Sequence, residues 1–467
     1  MPTTDPFSVV VLAAGEGKRM RSNTPKVLHP VAGRSMLERV LTTAAALSPD
    51  AIYGVYGHAG EAVREACAAF AVTWVNQAEQ LGTGHAVAQA LPAIPDNHQV
   101  IVLFGDVPLI EPATLTALMN EADGGVGVLT MQLETPTGYG RILRDTDGAV
   151  LGVVEEKDAT PSERQITEVN TGIMCLPAGH LRVWLQELDT HNAQGEYYLT
   201  DCIGKAHAQG VPVHVCACPD PWEVQGVNDR VQLAAVERAC QRRQAQTLMR
   251  DYGLGLADPA RFDLRGSLEV GRDCFIDVDV VIEGHVVLGD HVRIGAFSQI
   301  RDTHIAAGTE VLGHCEIEDT HIAEDCRVGP FARLRPGTTL EKGARVGNFV
   351  EVKQSAVGAG SKINHLSYIG DATLGEGVNI GAGTITCNYD GKHKHSTEIG
   401  DEVFIGSNSS LIAPVEIGKR ATIGAGTSVR ENVKANHLAV DDRRTRQIDG
   451  WRRPSERNDD RNPQGGR

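Results

Sequence analysis

The order of hydrophobic and polar positions divides the chain into two parts with different periods. From Ser8 to about residue 230, short apolar runs such as SVVVLAA, VIVLFGD and GVGVLTMQL alternate with stretches of helical period such as SMLERVLTTAAAL. This alternation of strand-like and helix-like segments is typical of a parallel α/β sheet. We therefore expect a Rossmann-like α/β domain in the first half of the chain.

After Gly253 the apolar positions recur every six residues. Neither an amphipathic helix nor an ordinary strand explains a sustained period of six, and hexapeptide repeats predict a parallel β-helix. If each flat face takes one hexapeptide, a coil takes 18 residues and every apolar residue in the series points inward. Two long series carry the pattern: Ile322, Val328, Leu334, Leu340, Val346 and Val352, and then Ile399, Ile405, Leu411, Ile417, Ile423 and Val429.

Two segments of the chain follow neither pattern. The segment from Asp229 to Tyr252 contains neither Gly nor Pro and predicts a helix that joins the halves. The hexapeptide rhythm stops after Ile380 and resumes at Ile399, and the polar, partly basic insertion between them is expected on a binding face. We predict a first domain over residues 1–230, a linker helix over 231–253, a β-helix domain over 254–451 and a disordered tail over 452–467.

Composition narrows the class of partner. The formal net charge of -16 argues against a general binder of nucleic acid or of membrane surfaces. Ten cysteines are scattered without the spacing of a metal or disulfide framework, and no apolar stretch approaches a membrane span. We expect a cytoplasmic protein with reduced thiols, whose ligands are small molecules.

One candidate site follows the first strand. Gly15 and Gly17 in LAAGEGKRM allow backbone N–H groups to approach phosphate oxygens, and Arg19 and Lys26 supply positive charge. Asp106 ends a later strand, where it could hold Mg²⁺ together with phosphate oxygens. The same residues also fit a Gly-rich turn with solvated basic side chains and a strand-ending cap, and the residue types alone leave both interpretations open.

The β-helix contains a second candidate. Arg335 and Lys353 are 18 residues apart and each follows an inward apolar residue, so adjacent coils would stack the two cations into a phosphate site. His365 follows in the next coil, and its ordinary pKa suits it to take a proton from an amine. Solvated surface charges, a structural histidine and a non-catalytic β-helix are the alternatives.

Longer motifs resemble one family throughout nearly all the chain. LAAGEGKRM, PK and FGD resemble the sugar-nucleotide pyrophosphorylases. QAEQLGTGHA, GYGRI, EEKDAT and EVNTG in the first half, and GPFARLRPG, VGNFVEVK and NIGAGTITCNYDG in the second, are similar to the bifunctional family that couples an N-acetylglucosamine-1-phosphate uridylyltransferase to a glucosamine-1-phosphate acetyltransferase. The resemblance implies that the β-helix is left-handed, that UTP, acetyl-CoA and Mg²⁺ are used, and that the chain forms a homotrimer.

For the uridylyltransferase half, the resemblance implies roles by matching position. Lys26 and Arg19 would neutralise charge during catalysis, and Asp106 and Asn228 would hold Mg²⁺. Lys18, Phe104 and Glu156 depart from the usual Thr, Tyr and His. The expected nucleotide and sugar contacts are Leu12, Ala13, Ala14, Gly15, Lys26, Gln77, Gly82, Thr83, Phe104, Gly105, Asp106, Gly140, Glu155, Asn170 and Asn228.

For the acetyltransferase half, the resemblance implies that His365 is the general base, with Glu351 as a candidate to orient it. The family's CoA-contacting Arg aligns with Asp442, so the neighbouring Arg443 is the candidate for its place here. The expected contacts are Arg335, Lys353, Tyr368, Asn379, Asn388 and Tyr389 for glucosamine-1-phosphate, and Ala382, Ser407, Ala425 and Arg443 for acetyl-CoA.

Two other functions compete with this prediction. A single-function sugar-nucleotide pyrophosphorylase would use the β-helix only for assembly and would not bind CoA. A regulatory or assembly protein would keep the architecture without turnover, although Lys26, Asp106 and Asn228 are all present.

Overall fold

The computed structural model describes residues 5–57, 60–441 and 445–454. It divides into two compact units, Met1–Ala307 and Gly308–Arg467. The first unit contains the α/β sheet, a long helix and a first set of β-helix coils, and the second contains further coils. The tail predicted over 452–467 lies outside the described residues from 455 onward.

The first unit begins with a sheet whose central strands are buried on both faces. The strand order is β11-β7-β10-β6-β1-β4-β5, β10 runs antiparallel to β6 and β7, and β8 and β9 extend from β10 as an antiparallel arm. β2 and β3 form a separate hairpin. The strands are β1 Phe7–Ala13, β2 Pro30–Val31, β3 Arg34–Ser35, β4 Ala51–Tyr56, β5 Thr73–Asn76, β6 Gln99–Phe104, β7 Val126–Gln132, β8 Gly140–Arg144, β9 Val150–Val154, β10 Glu168–Pro177 and β11 Val213–Ala217.

Helices cover both faces of this sheet, so alternate residues of one strand belong to different cores. Val9 and Val11 of β1 pack in one apolar cluster with Leu37 and Leu115, whereas Val10 packs in the other. This three-layer arrangement is the predicted Rossmann-like fold. The helices of the unit are α1 Met36–Ala46, α2 Gly60–Ala66, α3 Thr83–Ala90, α4 Pro112–Ala122, α5 Ala178–Gln186, α6 Asp201–Ala208 and α7 Arg230–Asp251.

Helix α7 is the helix predicted between Asp229 and Tyr252. The Asp229 carboxylate caps its first turn by accepting a hydrogen bond from the Gln232 backbone N–H at 2.9 Å. In its middle, the Gln241 amide accepts from the Leu264 backbone N–H at 2.7 Å and donates to the Leu264 carbonyl at 3.1 Å. These paired bonds fasten α7 to the first long strand of the coils.

The coils of the first unit begin directly after α7. Parallel pairing in 18-residue steps is visible where Phe262 lies opposite Val280 and Val270 opposite Leu288. Leu264, Ile282 and Ile300 occupy matching inward positions on consecutive turns. The strands are β12 Gly255–Leu256, β13 Phe262–Val270, β14 Phe275–Ile276, β15 Val280–Leu288, β16 Arg293–Ile294, β17 Gln299–Arg301 and β18 His304–Ile305.

The second unit is a regular parallel β-helix. The series from Ile322 to Val352 is at most 1% exposed, so the six-residue period marks inward positions as predicted. The strands are β19 Glu310–Val311, β20 Glu316–Glu318, β21 Thr320–Ile322, β22 Arg327–Val328, β23 Arg333–Leu334, β24 Thr338–Leu340, β25 Arg345–Asn348, β26 Glu351–Lys353, β27 Ala356–Val357, β28 Lys362–His365, β29 Tyr368–Gly370, β30 Ala372–Leu374, β31 Asn379–Ile380, β32 Ile385–Cys387, β33 Thr397–Ile399, β34 Phe404–Ile405, β35 Ser410–Ile412, β36 Val415–Ile417, β37 Thr422–Ile423, β38 Ser428–Val429 and β39 Leu438–Ala439.

The break in the hexapeptide rhythm is a loop between two paired coils. Leu374 lies opposite Ile399 and Asn379 opposite Phe404, so the core continues across the insertion. Within the insertion, Tyr389 and Lys394 form an isolated antiparallel bridge. Among the helices in the described part of the chain, none is long and apolar enough to span a membrane.

Two candidate active sites

The first site forms where three distant segments meet at the carboxyl edge of the sheet. The Lys26 ammonium lies 2.5 Å from a carboxylate oxygen of Asp106 and 3.3 Å from the side-chain oxygen of Asn228. Asp106 follows β6, Asn228 precedes α7, and a backbone bond from the Val227 N–H to the Asp106 carbonyl at 2.9 Å holds the two segments together. The predicted cation and the two predicted metal ligands therefore occupy one place.

The glycine-rich loop closes over this cluster because one glycine permits a close approach. Gly17 has a φ of 64°, and a Cβ added there would lie 2.6 Å from the Lys26 Cβ. A larger residue would push Lys26 away and would also strain the backbone. Glycine is therefore needed at position 17 for steric reasons, in addition to exposing the backbone N–H groups.

Two neighbouring cavities share Phe104 and Asp106. One has a volume of about 260 Å³ and the other about 410 Å³. Arg19 and Asn228 line the larger one, together with Tyr139 and Gln225. The smaller one is lined by most of the predicted nucleotide contacts: Leu12, Ala13, Ala14, Gly15, Lys26, Gln77, Gly82, Thr83, Phe104 and Asp106.

Backbone and amide bonds fix the walls of the smaller cavity. Gln77 is buried and its amide donates to the Gly82 carbonyl at 3.2 Å. Gly82 has a φ of 110° and begins α3 against the Tyr197 carbonyl, which a Cβ would approach to 2.7 Å. Gly105 lines neither cavity, but its N–H donates to the Leu12 carbonyl at 2.9 Å and so ties the ends of β1 and β6 together.

The three residues expected to contact the sugar form a group of their own. Gly140 on β8 lies opposite Asn170 on β10, and a Cβ on Gly140 would lie 3.4 Å from both carboxylate oxygens of Glu155. The Thr200 hydroxyl donates to Glu155 at 3.2 Å, and burial raises the pKa of Glu155. The Gly172 N–H donates to the Asn170 side chain at 3.1 Å, and Gly172 packs on Phe104, which connects this group to the cavities.

The oxygen ligands of the first site fit a hard divalent cation bound jointly with phosphates. Asp106 and Asn228 both direct an oxygen toward the same ammonium, so a positive charge is already stabilised between them. Mg²⁺ usually takes one or two protein oxygens and completes its shell with phosphate and water. No cluster of three or more His, Cys, Asp or Glu suited to a metal occurs among the described residues.

The second site follows the stacking of coils in the second unit. Leu334 lies opposite Val352, so Arg335 and Lys353 follow paired residues on adjacent coils, as the 18-residue spacing predicts. Arg335 is bridged to Glu351 at 2.8 Å. The insertion adds Lys394, whose hydrogen bond with Lys353, together with burial and its charge, lowers the pKa of Lys353. Gathered like charges of this kind favour a bound anion.

His365 is exposed at the end of β28 and points away from the interior of the prism. Its Nδ1 lies 2.8 Å from the side-chain oxygen of Asn348, which is its register partner on the preceding coil. Glu351, the residue expected to orient the base, bonds instead to Arg335. Because Nδ1 donates to an amide oxygen in this arrangement, Nε2 carries the lone pair that can accept a proton.

Tyr368 and Asn388 converge beside Lys353. The Asn388 amide lies 3.4 Å from the Tyr368 hydroxyl and also donates to Asp371. A Cβ on Gly370 would overlap the Tyr368 hydroxyl at 2.4 Å, so glycine permits this approach. Of the remaining two expected sugar contacts, Asn379 pairs with Lys362 on β28. Tyr389 is exposed, forms a bridge with Lys394 and donates to the Gly391 carbonyl at 2.7 Å.

The expected CoA contacts form a column on consecutive coils below His365. The Gly383 N–H lies 3.4 Å from the His365 carbonyl, the Asn408 N–H donates to the Ala382 carbonyl at 2.8 Å, and the Gly426 N–H donates to the Ser407 carbonyl at 2.8 Å. A Cβ added to Gly406 would lie 2.5 Å from the Ala425 nitrogen, so the two coils approach too closely for a larger residue at this position. Arg443 lies outside the described residues.

The residues in these sites that were not predicted as contacts include four with hydrogen bonds or cavity positions of note. Gln80 and Glu196 line the smaller cavity, and the Gln80 amide donates to the Ala14 carbonyl at 2.6 Å. Lys394 and Asn348 contribute to the second site. A signal existed for three of them, because Gln80 lies in the QAEQLGTGHA motif, Lys394 in the basic insertion and Asn348 one coil before His365.

Comparison with known proteins places these sites in context. Residues 9–158 match the family model of the MobA-like NTP transferase domain, and residues 268–302 and 396–431 match that of the bacterial transferase hexapeptide. A protein named "Bifunctional protein GlmU" from Alkalilimnicola ehrlichii is 59% identical over 97% of this chain and 98% of its own. Proteins of the same name from Marinobacter nauticus and Cupriavidus pinatubonensis are 53% and 54% identical, each over 96% of this chain and 99% of its own.

Proposed function

The chain belongs to the family of the bifunctional GlmU proteins, and from that premise we propose how its residues divide the work. It is an enzyme of UDP-N-acetylglucosamine synthesis with two activities. One activity acetylates glucosamine-1-phosphate with acetyl-CoA. The other transfers UMP from UTP to the resulting N-acetylglucosamine-1-phosphate and releases pyrophosphate. The observation that carries the assignment is a complete set of charged residues in each of two structurally different sites.

The division into domains follows the two activities. Residues 1–230 carry uridylyl transfer, residues 231–253 link, and residues 254–451 carry acetyl transfer, followed by a tail over 452–467. The change from a mixed sheet to coils after α7 supports this division.

In the acetyltransferase, His365 is the general base. Its Nε2 takes the proton from the amine of glucosamine-1-phosphate as the nitrogen attacks the thioester carbonyl, and the CoA thiolate leaves and is protonated. Asn348 supports this role because its oxygen fixes the imidazole tautomer. Arg335 and Lys353, with Lys394, hold the phosphate, and Tyr368, Asn379, Asn388 and Tyr389 bind the sugar.

The acetyl-CoA groove runs along the column of backbone contacts below the base. Ala382, Ser407 and Ala425 line it, and Arg443 takes the place of the family's CoA-contacting Arg. The backbone hydrogen bonds between these coils support the assignment, because they stack the three small residues on consecutive coils.

In the uridylyltransferase, charge neutralisation and alignment replace a protein nucleophile. A phosphate oxygen of N-acetylglucosamine-1-phosphate attacks the α-phosphorus of UTP, and pyrophosphate leaves. Lys26 and Arg19 offset the negative charge that builds up on the phosphates. The Gln77 to Thr83 wall holds the uracil, Leu12 to Gly15 hold the nucleotide, and Gly140, Glu155 and Asn170 position the sugar.

We assign Mg²⁺ to Asp106 and Asn228. When bound, the ion supplies Lewis-acid stabilisation of the phosphate oxygens and neutralises the leaving pyrophosphate. The convergence of both side-chain oxygens on Lys26 supports this position. Displacement of the ammonium from Asp106 toward phosphate oxygens would free both ligands.

Assembly into a homotrimer through the β-helix is the next part of the proposal. Phe331, Phe349 and Leu366 occupy equivalent corners with φ of 56°, 56° and 51°, and they are 47%, 57% and 62% exposed. The two phenyl rings stack at 5.3 Å, which forms an apolar strip next to His365. A second copy covering this strip would remove it from water and would wall the groove.

The cytoplasm is the proposed location of both reactions. All ten cysteines are free thiols, and burial raises the pKa of Cys175 to about 12. Free, mostly buried thiols suit a reducing compartment.

One incubation tests the function. The protein is mixed with glucosamine-1-phosphate, acetyl-CoA, UTP and Mg²⁺ while free thiol and pyrophosphate are followed together. We expect thiol release to require only the first two substrates and pyrophosphate release to lag behind it. Pyrophosphate release without any CoA consumption would instead establish a single-function pyrophosphorylase, and no release of either product would establish a protein without turnover.

A further inference from the structure

Directly behind the sugar-contacting group lies a charged side chain that cannot reach a substrate. Arg141 follows Gly140 on β8, and its side chain is 2% exposed. Its guanidinium donates to the Glu156 carboxylate at 2.6 Å, to the Arg164 carbonyl at 3.3 Å and to the Tyr139 carbonyl. Burial of a guanidinium costs free energy unless the group is paired with a counter-charge. The burial of Arg141 therefore indicates that it serves to bond neighbouring parts of the protein.

The partners of Arg141 belong to the segments that carry the three sugar contacts. Glu156 is adjacent to Glu155 in the chain, and Tyr139 is adjacent to Gly140. Arg141 itself lies opposite Val169 of β10, one position from Asn170. The guanidinium of Arg141 therefore joins the Gly140 and Glu155 segments, and its backbone pairs with the segment that carries Asn170.

A second arginine, Arg164, also bonds to the turn that carries Glu156. While the Arg164 carbonyl accepts from Arg141, the Arg164 guanidinium donates to the Glu156 carbonyl at 3.3 Å. The turn that carries Glu155 and Glu156 is held from both sides. Glu156 keeps its charge, because the hydrogen bond from Arg141 lowers its pKa.

We propose that Arg141 and Glu156 are a positioning pair that sets the distance between Gly140, Glu155 and Asn170 and thereby the selectivity of the uridylyltransferase for its sugar phosphate. The proposal rests on the proposed function of that site. The Glu155 carboxylate can contact the sugar hydroxyls only if the turn that carries it keeps its position relative to Gly140. Loss of the ion pair would leave Arg141 buried without a counter-charge and would release the turn.

A second Arg–Glu pair also begins on β8 but does not involve the Glu155 turn, so it provides a control. Arg144 on β8 bonds to both carboxylate oxygens of Glu168 on β10, at 2.9 Å and 2.8 Å. The Arg144 side chain is 34% exposed. Breaking this pair removes an equal charge from a partner of β8 without freeing the Glu155 turn.

The test is steady-state kinetics on the full-length chain carrying Glu156→Gln, Glu156→Asp or Glu168→Gln. For Glu156→Gln we expect the KM for N-acetylglucosamine-1-phosphate to rise about tenfold, while the KM for UTP and kcat stay within about twofold. Discrimination against glucose-1-phosphate should fall. Glu156→Asp should recover part of the loss, and Glu168→Gln should match the wild type.

The kcat and the KM for UTP of the same variants report whether the sheet domain is folded, and acetyl transfer reports whether the coils are. An unchanged sugar KM in Glu156→Gln would overturn the proposal, and so would an equal rise in both KM values or an equal effect of Glu168→Gln. If Glu156→Gln does not fold, Glu156→Asp decides by the same ratio of the two KM values. Failure of the proposed function is distinguishable, because the wild type itself would then release no pyrophosphate.

Discussion

The two sites are built from the chain in opposite ways. In the first, Lys26 meets Asp106 across 80 residues and Asn228 across 202 residues, because strand ends and the start of α7 converge at one edge of a sheet. In the second, His365 meets Asn348 across 17 residues and Arg335 meets Glu351 across 16, because coils stack. Convergence creates a pocket with many walls, whereas stacking creates a surface whose chemistry repeats coil by coil.

This difference determines what each site needs in order to work. In the proposed function, the first site concentrates charge around phosphates and uses a metal cation between Asp106 and Asn228. The second uses His365 as a base together with cations of the chain itself, and the proposal assigns no metal to it. A change that affects one site should therefore leave the other activity unchanged. The ratio of pyrophosphate release to thiol release measures how independent the two sites are.

Removal of divalent metal should give the largest separation. With EDTA, pyrophosphate release from UTP should fall by about a thousandfold or more, because the charge on the phosphates loses its main counter-ion. Thiol release from acetyl-CoA should be unchanged, and added Mg²⁺ should restore the first activity. An equal loss of acetyl transfer under EDTA would break the comparison.

Asn348→Ala should give the next largest effect and should act on acetyl transfer alone. Without the amide oxygen the His365 tautomer is no longer fixed, and we expect kcat to fall by roughly 10-fold to 100-fold. Thiol release at saturating substrate measures it. Glu351→Gln is the informative companion, since loss of its bond to Arg335 should raise the KM for glucosamine-1-phosphate instead. A larger kcat loss in Glu351→Gln than in Asn348→Ala would return the orienting role to Glu351.

The pH dependence of phosphate binding should give the smallest effect. Lys353 binds an anion only when protonated, and Lys394 lowers the pKa of Lys353, so the KM for glucosamine-1-phosphate should rise as pH increases through that lowered value. Lys394→Met removes the neighbouring charge and should move this alkaline limb to higher pH. KM measured across the alkaline range for both proteins checks it, and a limb that stays in place would show that Lys394 does not act on Lys353.

How much the sequence could predict also differs between the two regions. In the coils, the 18-residue spacing was enough to predict that Arg335 and Lys353 stack, because each follows an inward residue and the period is regular there. The same arithmetic would have paired Asn348 with His365 if the shortened, 17-residue coil had been allowed for. The apolar series contains steps of five residues, from Val352 to Val357 and from Ile369 to Leu374, but these steps do not show which outward side chains meet.

In the sheet, the elements followed from periodicity but their meeting points did not. A strand end at Asp106 and a helix start after Asn228 are local features, whereas their proximity depends on the strand order and on the bond from Val227 to Asp106. The role of Glu156 was also hidden, because nothing in EEKDAT reveals that Arg141 is buried. Only the resemblance to a family linked these segments before the structure did.

The most direct measurement compares two variants of the full-length protein in both assays. Asp106→Ala should abolish pyrophosphate release and leave thiol release at the wild-type rate, and His365→Ala should do the reverse. A mixture of the two variants should then convert glucosamine-1-phosphate to the UDP-sugar. If His365→Ala acetylates glucosamine-1-phosphate at the normal rate, or if Asp106→Ala retains uridylyl transfer, the account of two independent sites is contradicted.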